Sequence, residues 1–156
     1  MKNLTLPEKD LVKLGRLADW LKEARGVEVE LNLIADTAAD VARRERDAKA
    51  AVDAVSPHGW LSFDAATEAA VCELRKAEFI SRGMRVAEAR LESCKARLRG
   101  DVRRAYQELT NAIRPQLQRG FQTPTGELPG KDECERAEAL IAFCADHGLK
   151  PQEAHE

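Results

Sequence analysis

The chain has 156 residues, about the length of one domain and enough to bury an apolar core without a disulfide or metal to hold it together. Apolar residues make up 44% and charged residues 33%, whereas aromatic residues are only 4% and alanines number 25. This composition is typical of closely packed helices with solvated outer faces. The four scattered cysteines form no Cys-x-x-Cys pair, and no apolar signal segment or run of about 18 apolar residues is present. We therefore expect a cytoplasmic protein with reduced thiols and no membrane segment.

The net charge of −2 is unevenly distributed along the chain. Residues 75–119 carry 12 basic and 5 acidic side chains, a net charge of +7, whereas residues 120–156 carry 3 and 8, a net charge of −5. An asymmetry of this kind indicates that two segments of the chain neutralise each other, or that a charged partner does so.

A first helix is predicted over residues 6–25. Thr5 and Glu8 have the spacing of a capping box, and Pro7 is tolerated in a first helical turn. Apolar residues follow at helical spacing: Leu6, Leu11, Leu14, Leu17, Ala18, Leu21 and Ala24. Gly26 then occupies the position of a C-terminal cap, where a left-handed backbone favours glycine.

A second helix is predicted over residues 28–55. Its start is ambiguous, because apolar residues alternate as in a strand between Val27 and Leu33, but a lone strand would have no partner. Apolar residues then recur every seven positions: Val27, Ile34, Val41, Ala48 and Val55. Pro57 and Gly59 are expected to end this helix.

A third helix is predicted over residues 65–118, with Asp64 as its N-cap. Its apolar residues also recur every seven positions: Ala77, Met84, Leu91, Leu98, Ala105 and Ala112. A continuous helix of this length would span about 80 Å, more than the diameter of a compact domain of this size. Gly83 and Gly100 are therefore candidate bends, and Pro115 is expected to kink or end the helix.

The remaining residues predict a loop and a short helix. Residues 120–131 are rich in Gly, Pro and Thr and have the composition of a loop. Asp132 and Glu135 form a second capping box, which begins a helix over 132–148 that is followed by a tail over 149–156.

The lengths of these helices suggest how they pack. The economical arrangement folds residues 28–55 back on the first half of 65–118 and lays 6–25 along the second half. This register brings Asp47 close to Lys76. The predicted fold class is all-α, an elongated antiparallel helical bundle in which a hairpin of long helices and a short C-terminal helix form one domain.

No common catalytic or metal-binding pattern is present. Cys144 and His147 share one face of the last helix, but Cys134 lies about 15 Å away along its axis, and zinc needs four converging ligands. The Gly-x-x-x-Gly-Lys stretch in 120–131 lacks the spacing and the following Ser or Thr of a phosphate-binding loop. We therefore expect no metal, no cofactor and no enzymatic activity.

Basic residues recur along one side of the third helix. We call six of them the basic ridge: Lys76, Arg82, Arg90, Arg97, Arg103 and Arg104. The ridge would suit a nucleic-acid backbone or an acidic protein partner. It would equally be neutralised within the chain, by the acidic C-terminal segment or by Asp36, Asp40 and Glu45. The acidic pI of about 6.0 and the lack of interleaved aromatic residues favour neutralisation.

The stretch SPHGWLSFD, residues 56–64, concentrates His58, Trp60 and Phe63 between two predicted helices. One interpretation is structural: Trp60, Leu61 and Phe63 fold inward and plug the end of the bundle. The other is functional: His58, Trp60 and Phe63 form an exposed partner contact, since tryptophan is enriched at binding hot spots. We favour the plug, although one turn can serve both roles.

These patterns predict a non-enzymatic protein–protein interaction module, a small adaptor or inhibitor that acts by surface binding. One candidate partner is a second copy of the chain, in a homodimer that packs through Ala-rich faces. The alternative function is nucleic-acid binding by the basic ridge. No motif identifies the partner, and no membrane association is expected.

Overall fold

A computed structural model describes residues 4–117 and 132–151. It contains four helices: α1 (Glu8–Asp53), α2 (Pro57–Ser62), α3 (Ala65–Leu117) and α4 (Glu133–Asp146). The predicted all-α fold class is confirmed, and the described residues contain no strand. The predicted loop over 120–131 and residues 152–156 of the predicted tail lie outside the described residues.

The helix α1 runs without interruption through Gly26, so the predicted helix end at that residue is wrong. Gly26 is helical and exposed, with open space around its Cα. Ala24 and Val27 on either side of it are both buried. Burying apolar neighbours of one helical face outweighs the propensity cost of a single glycine, about 1 kcal/mol.

The first turn of α1 also differs from the predicted capping box. The carbonyl of Pro7 accepts the first helical bonds, from the amides of Asp10 (2.9 Å) and Leu11 (3.1 Å). The backbone of Thr5 instead pairs with the side chain of Gln116, whose Nε2 donates to the Thr5 carbonyl (2.6 Å). The Gln116 Oε1 atom accepts from the Thr5 amide (3.1 Å). Thr5 therefore ties the start of α1 to the end of α3.

The helix α3 is continuous through Gly83 and Gly100, so neither glycine ends it. Asp64 caps its first turn, accepting from the Thr67 amide (2.8 Å) and hydroxyl (2.7 Å). These two bonds hold the pKa of the Asp64 carboxyl below its ordinary value. Pro115 lies inside α3, which continues beyond it to Leu117, the last described residue of this segment.

The chain forms two compact units to which α1 and α3 both contribute. Unit 1 comprises 1–27 and 94–156, and unit 2 comprises 28–93. Unit 1 contains every buried apolar side chain among the described residues. They are Leu4, Leu14, Leu17, Leu21, Ala24, Val27, Leu98, Val102, Ala105, Leu109, Ile113, Cys134, Ala137, Leu140, Cys144 and Leu149. The spacing of three and four residues on each helix directs one face of α1, α3 and α4 into a common core.

Ion pairs at the border of this core show that α1 and α3 are antiparallel in unit 1. The Lys13 ammonium lies 2.8 Å from the Glu108 carboxylate, and the Arg97 guanidinium lies 3.9 Å from Glu23. The bond to Glu108 raises the pKa of Lys13, and the same bond lowers the pKa of Glu108. The helix α4 is joined to α1 by Arg25 and Glu138, 2.9 Å apart.

Unit 2 is built differently. Every residue of 28–93 is described, and none of its apolar side chains is buried. Its three buried residues are Gly59, Thr67 and Ser81, all small. The apolar residues between α1 and α3, such as Val41, Ala48 and Ala77, are only half-buried. Unit 2 is therefore a pair of helices joined by a turn, without a core of its own.

Candidate protein-docking surface

The turn between α1 and α3 has a well-bonded backbone. Ser56 caps α2, and its hydroxyl accepts from the Gly59 amide (3.1 Å). The Ser62 hydroxyl donates to the carbonyl of His58 (2.9 Å), and Asp64 caps α3. Gly59 is buried, and a Cβ at that position would lie 3.0 Å from the Thr67 hydroxyl oxygen. These contacts constrain the backbone of residues 56–64.

The apolar side chains of this turn are exposed instead of buried, so the plug interpretation is wrong. Trp60 is 44% exposed, Leu61 is 87% exposed and Phe63 is 50% exposed. We call these three residues the apolar turn. The physical reason is α2 itself: residues 57–62 form a helical turn instead of an irregular corner, with Gly59 as its buried position. His58 is also exposed, beside the apolar turn.

Phe63 has a left-handed backbone conformation, with φ 44° and ψ 55°, at the end of α2. It is the one non-glycine residue with positive φ among the described residues. This conformation costs about 1 kcal/mol or more for a residue with a Cβ, and glycine is usual at such a position. A half-exposed phenylalanine therefore occupies a position whose backbone conformation favours glycine.

A shallow apolar groove runs between α1 and α3 within unit 2. Its cavity volume is about 350 Å³. Four apolar residues line it, Val41, Ala48, Ala77 and Ile80, and four charged residues border it, Arg44, Asp47, Glu73 and Lys76. We call this feature the groove. It places Asp47 and Lys76 at one site, as the predicted register requires.

The basic ridge is divided between the two units. Lys76, Arg82 and Arg90 belong to unit 2, and Arg97, Arg103 and Arg104 belong to unit 1. All six residues are exposed.

Carboxylates of the same chain neutralise part of this ridge. The Lys76 ammonium lies 3.4 Å from Glu73, and Arg97 pairs with Glu23. The Nε atom of Arg103 donates to Glu133 (3.1 Å), and this pairing lowers the pKa of Glu133. The predicted neutralising residues Asp36, Asp40 and Glu45 are not the partners found.

The cysteines and histidines that the structure describes show no metal-ligand arrangement. Among residues 4–117 and 132–151, no three His, Cys, Asp or Glu side chains converge as a metal site would require. Burial raises the pKa of the Cys144 thiol to about 11, so it stays protonated at neutral pH. His147 instead lies against the Phe143 ring, with centroids 4.2 Å apart.

Three further exposed apolar residues of unit 2, Leu61, Phe79 and Ile80, are not among the contact residues predicted from the sequence. Phe79 is 75% exposed and Ile80 is 49% exposed. The sequence contains a signal for Phe79, since Val86 follows it after seven residues and so lies on the same side of the helix. The structure shows that Val86 is also exposed.

No protein-family model, no characterised protein and no solved structure matches the chain. Among the helices that the structure describes, none is long and apolar enough to cross a membrane.

Proposed function

We propose that this protein is a non-enzymatic interaction protein, an adaptor or inhibitor, that binds a protein partner through unit 2. One observation carries the proposal: the described large apolar side chains divide by unit. The buried ones lie in unit 1, and the strongly exposed ones all lie in unit 2. The exposed set is Val29, Leu33, Trp60, Leu61, Phe63, Phe79, Ile80 and Val86.

This distribution differs from that of an ordinary surface. Single exposed apolar side chains are common and need no explanation, but a concentration of them in one part of a fold marks an interaction surface. Unit 1 supplies the core that folds the chain. Unit 2 is free to expose apolar area to a partner.

The apolar turn is the part of unit 2 that we expect to contribute most to the free energy of binding. Trp60 and Phe63 provide large apolar surfaces, and tryptophan is among the residues that dominate binding energies. The caps at Ser56 and Asp64 hold the turn in place before binding, which reduces the entropy lost on association. The left-handed Phe63 supports this assignment, because a backbone cost retained at an exposed aromatic residue is typical of functional sites.

Recovery of partners from the native host tests the proposal. We expect wild-type protein to recover a partner that the variant Trp60→Ser/Leu61→Ser does not recover. The control is Phe79→Ser, which removes a 75% exposed aromatic ring of unit 2 that lies outside the apolar turn. Far-UV circular dichroism should show the same helical content in all three proteins. Recovery of the same proteins by the Trp60→Ser/Leu61→Ser variant would contradict the proposal.

Phe63→Gly separates a role in binding from a role in folding. Glycine removes the cost of the left-handed backbone, so we expect the free energy of unfolding to be unchanged or raised by up to about 1 kcal/mol. The same substitution should weaken recovery of the partner. If Phe63→Gly lowered the free energy of unfolding and still recovered the partner, Phe63 would have a role in folding alone.

Nucleic-acid binding by the basic ridge is the alternative function. Its remaining candidates are Arg82, Arg90 and Arg104, which make no ion pair within the residues that the structure describes. Arg82 and Arg90 both belong to unit 2. This alternative requires binding to duplex or single-stranded nucleic acid that falls steeply with salt and is lost in Arg82→Glu/Arg90→Glu. Absence of binding at low salt would remove it.

A further inference from the structure

Among the described residues, only α1 and α3 line the groove of unit 2, so this pair of helices forms a single layer. A helical pair buries only the seam between its two helices, and stable helical folds place a further layer on the open side. Here Ile80, a groove residue, is still 49% exposed. Val41, Ala48 and Ala77 are half-buried. The groove therefore has apolar area that a further pair of helices would cover.

The charges around the groove are self-complementary. Two cations, Arg44 and Lys76, and two anions, Asp47 and Glu73, border it, so that the net charge is zero. Lys76 pairs with Glu73. Arg44 and Asp47 make no ion pair within the described residues, although they are three apart on the same helix. A groove that offers one unpaired cation and one unpaired anion matches a copy of itself.

An interface with two-fold symmetry would pair the charges of Arg44 and Asp47. In an interface between identical copies related by a two-fold axis, a contact from residue i to residue j is repeated from j to i. Arg44 of one copy would then face Asp47 of the other, and Asp47 would face Arg44. A partner of strong positive or negative charge would satisfy only one of the two residues.

The face of unit 2 that contains the groove is large enough for a dimer interface. Residues 28–53 of α1 form a helix about 40 Å long, and two adjacent helices are about 20 Å wide. The whole open face therefore has a footprint on the order of 800 Å², large enough to hold the interface that each partner contributes to a standard dimer. Small residues such as Ala48 and Ala77 allow close approach of the second pair of helices.

We infer that a second copy of this chain docks on the groove, so that two copies of unit 2 form an antiparallel four-helix bundle. The inference rests on the proposed function, because both assign unit 2 as the interaction surface. It specifies a different part of that surface: the groove for self-association, with the apolar turn reserved for the partner.

Sedimentation equilibrium at high micromolar concentration tests the inference. We expect wild-type protein to have twice the chain mass of 17.3 kDa. Ile80→Glu places a charge in the groove and should raise the dissociation constant at least tenfold. The matched control is Phe79→Glu, which changes a neighbouring and more exposed residue outside the groove and should leave the dimer intact. A wild-type mass of 17.3 kDa, or equal weakening by both variants, would overturn the inference.

A charge exchange gives a second measurement that does not depend on apolar packing. Arg44→Asp leaves two anions at this part of the groove border, and Asp47→Arg leaves two cations. In a dimer of either variant alone, like charges would face each other, so that dimer should dissociate. Mixing the two should restore dimers, because each acidic border then faces a basic one. Failure of the mixture to dimerise while both variants keep wild-type helical content would overturn the inference.

Different results would refute the groove dimer and the partner contact of the apolar turn. A monomeric wild-type protein whose partner recovery still depends on Trp60 and Leu61 would refute the groove dimer and support the proposed function. A dimer that depends on Ile80, with no partner recovery that depends on the apolar turn, would support the groove dimer and refute the proposed partner contact.

Discussion

Leu109→Ala is expected to lower the free energy of unfolding by about 2–5 kcal/mol. Leu109 is fully buried, with 0% of its surface exposed, in the core of unit 1. Its truncation removes apolar contact and leaves a cavity that the surrounding helices fill only in part. Urea unfolding followed by far-UV circular dichroism measures the change.

Leu61→Ala is the matched control, since it makes the same chemical change at a residue that is 87% exposed. Its effect on the free energy of unfolding should stay within about 0.5 kcal/mol. Comparable losses from the two substitutions would contradict the division between a core in unit 1 and a contact surface in unit 2.

Replacing Gly26, Gly83 and Gly100 together with alanine is expected to raise the free energy of unfolding by about 1.5–3 kcal/mol. All three glycines lie inside helices, and a Cβ added at any of them meets nothing within 4 Å. Alanine at such a position stabilises a helix by about 0.5–1 kcal/mol, because it loses less conformational freedom on folding. The same urea unfolding measures the sum.

Gly26→Ala alone decides between the observed helix and the predicted helix end. If Gly26 were a left-handed C-terminal cap, alanine would destabilise the protein. Gly59→Ala is the contrasting control, since its Cβ would lie 3.0 Å from the Thr67 hydroxyl oxygen and 3.1 Å from the side chain of Val55. The hydroxyl of Thr67 is held by its bond to Asp64, so this substitution should cost about 1 kcal/mol or more.

The periodicity of apolar residues predicted much of the fold. Repeats of seven and of three to four residues predicted helices over 28–55 and 65–118, and the structure has helix over most of both ranges. Asp64 and Asp132 cap the helices that they were predicted to cap. These features are local: a helical face and a cap depend on residues within one or two turns. Such signals are visible in a single sequence.

The errors have a different origin. Gly26 has the residue type of a helix end, but burial of Ala24 and Val27 keeps it helical. Thr5 has the residue type of an N-cap, but its backbone bonds to Gln116, 111 positions away. In both cases packing between distant segments overrides a weak local preference. A single sequence does not contain the positions of those segments.

The candidate site was predicted in part. His58, Trp60 and Phe63 were identified by residue type, and their exposure makes them available for contact. Their direction was not predictable, because it depends on the single turn of α2, in which Gly59 is the buried position. The groove requires the pairing of α1 with α3 at side-chain detail. Only the proximity of Asp47 and Lys76 followed from the sequence.

Hydrogen exchange followed by mass spectrometry tests most directly whether unit 1 contains the stable core and unit 2 has none. The Ile80→Glu variant is the suitable protein, since self-association would otherwise protect unit 2. Amides in the unit 1 core, such as those of 98–113, should exchange only with global unfolding. Amides of 36–47 and 75–90 in unit 2 should exchange at least about tenfold faster through local opening. Equal protection along the whole of α1 and α3 would show that unit 2 is as stably folded as unit 1, and would contradict its assignment as an interaction surface without a core of its own.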